Sequence, residues 1–243
     1  MRLKDRIAIV TGGGGGIGRA MCLVFAREGA HIVIAEHNPK TAEAVAEEVK
    51  ALGRRSLAIP TDVSNGESVQ SMVNQTLETF GRIDILVNNA GIFSYTRIED
   101  CTSEEWDRTM AVNLKGPFLC SQAVMETMKK QQFGRIINFG SLAGQVGGLV
   151  ASASYSASKA GVMCLTKSLA NALGKYGVTV NSIAPGVINT DMTKHHPDMT
   201  DKIPLGRKAE PEEAASVALF LASEEGRYLT GVTIDVNGGM RMA

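Results

Sequence analysis

The chain has 243 residues, 44% of them hydrophobic, with 25 basic and 25 acidic side chains. That length and apolar content exclude disorder and support a large core. The zero formal charge argues against a nucleic-acid or anionic-membrane partner. No apolar run is long enough to span a bilayer. Cys22, Cys101, Cys120 and Cys164 are scattered without CxxC spacing, so reduced thiols in a cytoplasmic protein are expected, with no disulfide and no metal.

Short apolar runs alternate with segments of helical period. "IAIV" (7–10) comes first, and its shortness marks a buried strand rather than a signal peptide. A glycine-rich turn, "TGGGGGIG", opens a helix with Ile17, Met21, Val24 and Phe25 on one face. "HIVIA" (31–35) is the second run, followed by a helix with Val45, Val49 and Leu52 on a face. "SLAIPTDV" is the third, and its helix carries Val69, Met72, Val73 and Phe80. "IDILVNNAG" is the fourth, followed by a long helical stretch in which Thr102 and Glu105 have capping-box spacing. "RIINFGS" (135–141) is the fifth, and the next helix is expected to close at Gly177. "VTVNSIAPG" and "VTIDVNGG" complete the series.

Runs apolar on both faces and separated by helices predict a parallel sheet covered on both sides. The expected α/β fold is a single Rossmann-type doubly wound sheet of about seven strands, with helices on both faces. A single domain is expected over 1–243. The stretch 190–213 is polar, has three prolines and lacks a period, so it reads as a substrate lid.

The glycine turn follows the first strand and opens a helix, where a dinucleotide pyrophosphate can approach bare backbone and helix N–H groups. Two spacings fit: Gly13, Gly15 and Gly18, or Gly12, Gly16 and Gly18. Glu36 lies eighteen residues after Gly18, at the end of the second strand. An acid there accepts hydrogen bonds from the adenosine ribose and repels a 2′-phosphate. Gly15 offers no basic side chain in compensation. NAD is therefore expected over NADP. "YSASKAG" sets Tyr155 and Lys159 four apart on one helix face. An ammonium there favours the phenolate, which can move a proton at a carbonyl or hydroxyl oxygen.

With these motifs in order along essentially the whole chain, the sequence resembles the short-chain dehydrogenase/reductase family, most closely its 3-oxoacyl-[acyl-carrier-protein] reductase group. The resemblance selects Gly12, Gly16 and Gly18, with Ile17, for the cofactor. It implies cofactor contacts at Asp62 and Val63, at Asn89, Ala90 and Gly91, and at Pro185, Gly186, Ile188 and Thr190. It implies Asn113, Ser141, Tyr155 and Lys159 as the catalytic set, with Tyr155 as acid and base. Ser141 would hold the substrate oxygen, Lys159 would bond the nicotinamide ribose, and Asn113 would hold a relay water. It also implies a homotetramer acting on a small carbonyl or alcohol substrate. Thirteen residues separate Ser141 from Tyr155, one more than the family's usual spacing, which leaves Ser152 and Ser154 as rivals. Asn237 stands where aspartate is more usual. Glu36 sits uneasily with fatty-acid synthesis, which usually draws on NADPH. A polyol, hydroxysteroid or other secondary-alcohol dehydrogenase is the alternative, and a non-catalytic NADH sensor is the alternative of another class. Pocket candidates are Phe93, Tyr95, Leu149, Val150, Met192 and Met199. His195 and His196 read as substrate contacts or solvent-exposed residues rather than metal ligands. Trp106 reads as packing, and Val217, Leu219, Phe220 and Leu221 as core or subunit interface.

Overall fold

The computed structural model describes residues 1–148 and 150–242. Seven parallel strands form one sheet in the order β3-β2-β1-β4-β5-β6-β7. They are β1 (Ile7–Thr11), β2 (His31–Glu36), β3 (Ser56–Pro60), β4 (Ile85–Asn88), β5 (Gly134–Phe139), β6 (Val178–Pro185) and β7 (Thr233–Val236). The central runs became strands whose side chains are buried on both faces, while the edge strands β3 and β7 are only partly buried. Along β1, Ala8 and Val10 enter one core cluster while Ile7 and Ile9 enter the other. Along β2, Ile32 and Ile34 alternate with Val33 and Ala35 in the same way.

The helices are α1 (Gly16–Arg27), α2 (Pro39–Ala51), α3 (Gly66–Phe80), α4 (Ser103–Met110), α5 (Gly116–Gln131), α6 (Ala143–Val146), α7 (Ala153–Leu173) and α8 (Pro211–Ala222). One face of the sheet is covered through Phe25 of α1, Val45 and Val49 of α2, and Ala218 and Leu221 of α8. The other is covered through Met72 of α3, Val124 of α5 and Leu173 of α7. Leu219 and Leu221 are core, and Val217 and Phe220 pack partly against the same cluster.

Local sequence decides where helices begin. Asn38 and Asn65 cap α2 and α3 by accepting from backbone N–H groups. Thr102 accepts from the Glu105 N–H, so the first half of the expected capping box forms. Three local expectations need correction. The Glu105 side chain does not return a bond to Thr102 among the described contacts; its Oε1 is buried and unpartnered. Leu52 stays 39% exposed, because α2 ends at Ala51 and Leu52 turns away as its cap. The helix expected to close at Gly177 ends at Leu173, and a 3₁₀ turn (Gly174–Tyr176) carries the chain on to Gly177 in the left-handed region.

The chain runs outward from β1 through β3, then returns to β4 on the other side of β1. The loops after β1 and β4 therefore diverge at neighbouring strand ends, opening the crevice that doubly wound sheets use for ligands.

Candidate active site

Thr11 pins that crevice. Its hydroxyl donates to Val87 O at 3.2 Å and accepts from the backbone N–H groups of Asn89 and Ala90 at 3.0 and 3.1 Å. Asn89 returns the link, donating from Nδ2 to the carbonyls of Thr11 and Gly12 at 3.0 and 3.1 Å. The glycines are there for space. Gly12 has φ of +64°, and a Cβ on it would lie 2.8 Å from Ala90 Cα. A Cβ on Gly18 would lie 2.0 Å from Gly12 O, so Gly18 lets α1 close onto the loop. Gly15 faces open space. Glu36 is fixed against the same loop. One carboxylate oxygen accepts from Gly14 N at 3.1 Å and the other from Asn38 N at 3.2 Å. A Cβ on Gly14 would press on the Glu36 side chain at 2.8 Å, so glycine at 14 is what permits this placement.

A cavity of about 700 Å³ runs along the carboxyl ends of the strands. Glu36, Asp62 and Val63 line one part, and Ser141, Tyr155 and Lys159 line another. Gly12, Gly16, Ile17, Asn89, Ala90, Gly91, Pro185, Gly186, Ile188 and Thr190 also border it. Of the expected site residues, Gly18 and Asn113 do not. Gly18 packs behind the loop, and Asn113 acts from underneath.

Asn113 lies in a π-helical turn, Ala111–Lys115, that joins α4 to α5. Its Oδ1 accepts from Ile92 N at 2.8 Å and its Nδ2 donates to Ile92 O at 2.9 Å and to Ser158 Oγ at 3.2 Å. The side chain thus clamps the loop after β4 onto α7.

Helix α7 presents Tyr155 and Lys159 to the cavity. Ser152 is the N-cap of this helix, accepting from Tyr155 N at 3.2 Å, and Ser154 is buried against Ser152 Oγ at 3.0 Å. Both rivals of Ser141 are therefore occupied. Ser141 accepts from Ala143 N at 3.1 Å and lies beside the Tyr155 phenol. Burial raises the Tyr155 pKa, and the Ser141 hydroxyl beside the phenol opposes that rise. Lys159 Nζ donates to Phe139 O at 2.8 Å and sits 5.7 Å from the Tyr155 ring centre. Burial lowers its pKa to about 8, so at neutral pH it is still mostly an ammonium.

Among the other pocket candidates, Phe93, Val150, Met192 and Met199 line the cavity. Tyr95 stands behind Phe93, with ring centres 4.8 Å apart. Leu149 lies outside the described residues. His196 lines the cavity, His195 is exposed, and no metal-holding group occurs among the described residues. The sequence reading missed Thr11, Arg108, Val112 and Met240. Thr11 carried a signal, as the residue between strand and glycines. Arg108 reaches the cavity from α4, Val112 from the π-helical turn and Met240 from the C-terminal return of the chain. No helix of the described residues is long and apolar enough to cross a membrane.

A doubly wound sheet, a glycine-cradled crevice and a Tyr–Lys pair beside a serine define a dinucleotide-binding class of α/β oxidoreductase. The chain belongs to the short-chain dehydrogenase/reductase family, whose members bind a nicotinamide cofactor. A family model described as "Enoyl-(Acyl carrier protein) reductase" matches residues 12–241. The chain is 43% identical to a 3-oxoacyl-[acyl-carrier-protein] reductase of Staphylococcus epidermidis, covering 98% of this chain and 100% of the relative. It is 40% identical to (2S)-[(R)-hydroxy(phenyl)methyl]succinyl-CoA dehydrogenase subunit BbsD of Thauera aromatica, over 98% of each chain. A solved short-chain dehydrogenase/reductase from Mycobacterium marinum superposes with a TM-score of 0.96 at 35% identity, over 99% of this chain and 97% of that one.

Proposed function

We propose that this protein is an NAD(H)-linked oxidoreductase that interconverts a ketone and a secondary alcohol, with 3-oxoacyl thioesters as the substrate class. One observation carries the reading: a single cavity joins Glu36 to Tyr155, Ser141 and Lys159. The residues present fit the cofactor. The cradle left by Gly12 and Gly16 suits a pyrophosphate, with Ile17 beside it and Gly18 closing the helix behind. Asp62 and Val63 suit the adenine end, and Asn89, Ala90 and Gly91 the middle. Pro185, Gly186, Ile188 and Thr190 suit the nicotinamide end. When bound, NADH supplies the hydride.

Tyr155 donates the proton to the carbonyl oxygen in reduction and removes it from the alcohol in oxidation. Its raised pKa keeps the phenol protonated in the free protein, ready to act as an acid. Ser141 holds the substrate oxygen next to that phenol. Lys159 keeps a positive charge beside the phenol and has N–H donors left for a ribose hydroxyl. Asn113 serves the set by holding Ile92 and Ser158 in place. The 190–213 segment is the substrate lid, and a homotetramer is the expected assembly. The reductase relatives favour 3-oxoacyl thioesters. Glu36 also favours a second reading, oxidation of a secondary alcohol with NAD; the Thauera relative is named as a dehydrogenase of a hydroxy(phenyl)methylsuccinyl-CoA.

The test is kcat/KM with NADH and with NADPH, using an acetoacetyl thioester. A clear NADPH advantage would sink the cofactor assignment. In the same assay Tyr155→Phe should lose orders of magnitude in rate while binding NADH nearly as before.

A further inference from the structure

One polar group in the cavity has no part in this chemistry. His196 borders the cavity with Met192 and Met199. Its ring centre is 5.1 Å from Phe93 and 5.2 Å from Tyr95, and Phe93 and Tyr95 are 4.8 Å apart. All three contacts are edge-on, so the rings close a triangle. Phe93 also meets the Tyr155 ring at 4.8 Å. One side of the reacting phenol is thus an aromatic wall whose far corner is an imidazole.

Phenylalanine or leucine would complete that wall without a polar atom. His196 instead buries Nδ1 with no hydrogen-bond partner among the described residues. An unmatched buried polar atom costs about 1–3 kcal/mol. Burial and the nearby Lys208 cation both hold the ring toward its neutral form. A neutral imidazole offers one N–H donor and one acceptor nitrogen. The terminal torsion of histidine is soft, so the ring can pivot its polar edge toward the cavity.

We propose that His196 is a substrate-recognition residue: its imidazole hydrogen-bonds a second oxygen of the substrate, beyond the carbonyl that reacts at Tyr155. Phe93, backed by Tyr95, packs against the carbon atoms between the two oxygens. The class of substrate this selects is a bifunctional oxo compound, with a ketone and a further carbonyl or hydroxyl oxygen on one short chain. A 3-oxoacyl thioester meets that description; a simple ketone leaves the imidazole unmatched. The inference rests on Tyr155 as the acid–base group.

The experiment compares NADH-linked reduction of ethyl acetoacetate with that of 2-octanone, a ketone of similar size. His196→Phe keeps the aromatic triangle and removes the polar edge. It should lower kcat/KM for ethyl acetoacetate about tenfold or more, mainly through KM, and leave 2-octanone within about twofold. His196→Gln, which restores hydrogen bonding, should recover much of the ester rate relative to 2-octanone. Equal losses on both substrates would reduce His196 to packing and overturn the inference, as would no loss on either. A parent protein that prefers 2-octanone would overturn it too, with the reading of Tyr155 intact. If the parent protein reduces neither substrate, the functional reading fails and the inference falls with it.

Discussion

Lys159 is the residue at which stability and chemistry are most directly opposed. It is 5% exposed, and burial brings its pKa from the usual 10.5 to about 8. That depression corresponds to about 3 kcal/mol of unfavourable charge burial at neutral pH. Lys159→Met removes the charge and keeps the stem. It also removes the 2.8 Å bond to Phe139 O, and an unsatisfied buried carbonyl costs about 1–3 kcal/mol. The balance is a gain of about 1 kcal/mol, which raises Tm by about 2–4 °C for a chain of this size. Turnover should be lost at the same time. The pH dependence has a definite sign. Between about pH 8 and 10.5 the folded protein has released this proton while the unfolded chain still holds it. Parent stability therefore rises by about 3 kcal/mol through that window relative to the variant, so the variant's lead of about 1 kcal/mol reverses within it. Thermal melts of the cofactor-free proteins from pH 7 to 11 measure both. A variant melting several degrees below the parent at pH 7, or a gap that ignores pH, would refute the reasoning.

Further outcomes are expected at the phenol, the glycine loop and Asn113. The raised Tyr155 pKa predicts that kcat/KM for alcohol oxidation climbs with pH while that for ketone reduction stays flat around neutrality. Ser141→Ala removes the opposing hydroxyl and should move the oxidative limb to still higher pH; a downward shift would contradict the assignment. Gly18→Ala places a methyl 2.0 Å from a backbone oxygen and should cost about 1–3 kcal/mol and most of the NADH affinity. Gly15→Ala meets open space on extended backbone and should be tolerated in both assays, read by melting and fluorescence titration. Asn113→Ala strands the Ile92 N–H and C=O, so urea unfolding should show a loss of about 2–3 kcal/mol; an unchanged midpoint would mean that the clamp is unnecessary.

The Tyr155–Lys159 pair was legible because its geometry is local. Four residues are one helical turn, so "YSASK" alone puts Tyr155 and Lys159 on one face. The strands were legible because double-faced burial leaves continuous apolar runs. Ser141 was less legible, since the loop between it and Tyr155 follows no fixed period. Only in the folded chain are Ser152 and Ser154 seen to be spent on capping α7 and on each other. Asn113 engages Ile92 through its side-chain amide, a partner twenty-one residues away that no helical period encodes.

The sequence by itself determined the alternation of strand and helix, the glycine turn and the acid at the end of β2, because each depends on neighbours within a few residues. The tertiary structure decided what those elements meet. It set Glu36 on the amide of Gly14, closed Gly18 onto Gly12, and joined Phe93, Tyr95 and His196 into a wall beside Tyr155. These contacts lie between loops at the ends of different strands. Their geometry follows from the strand order and the return across β1, which local propensity does not specify.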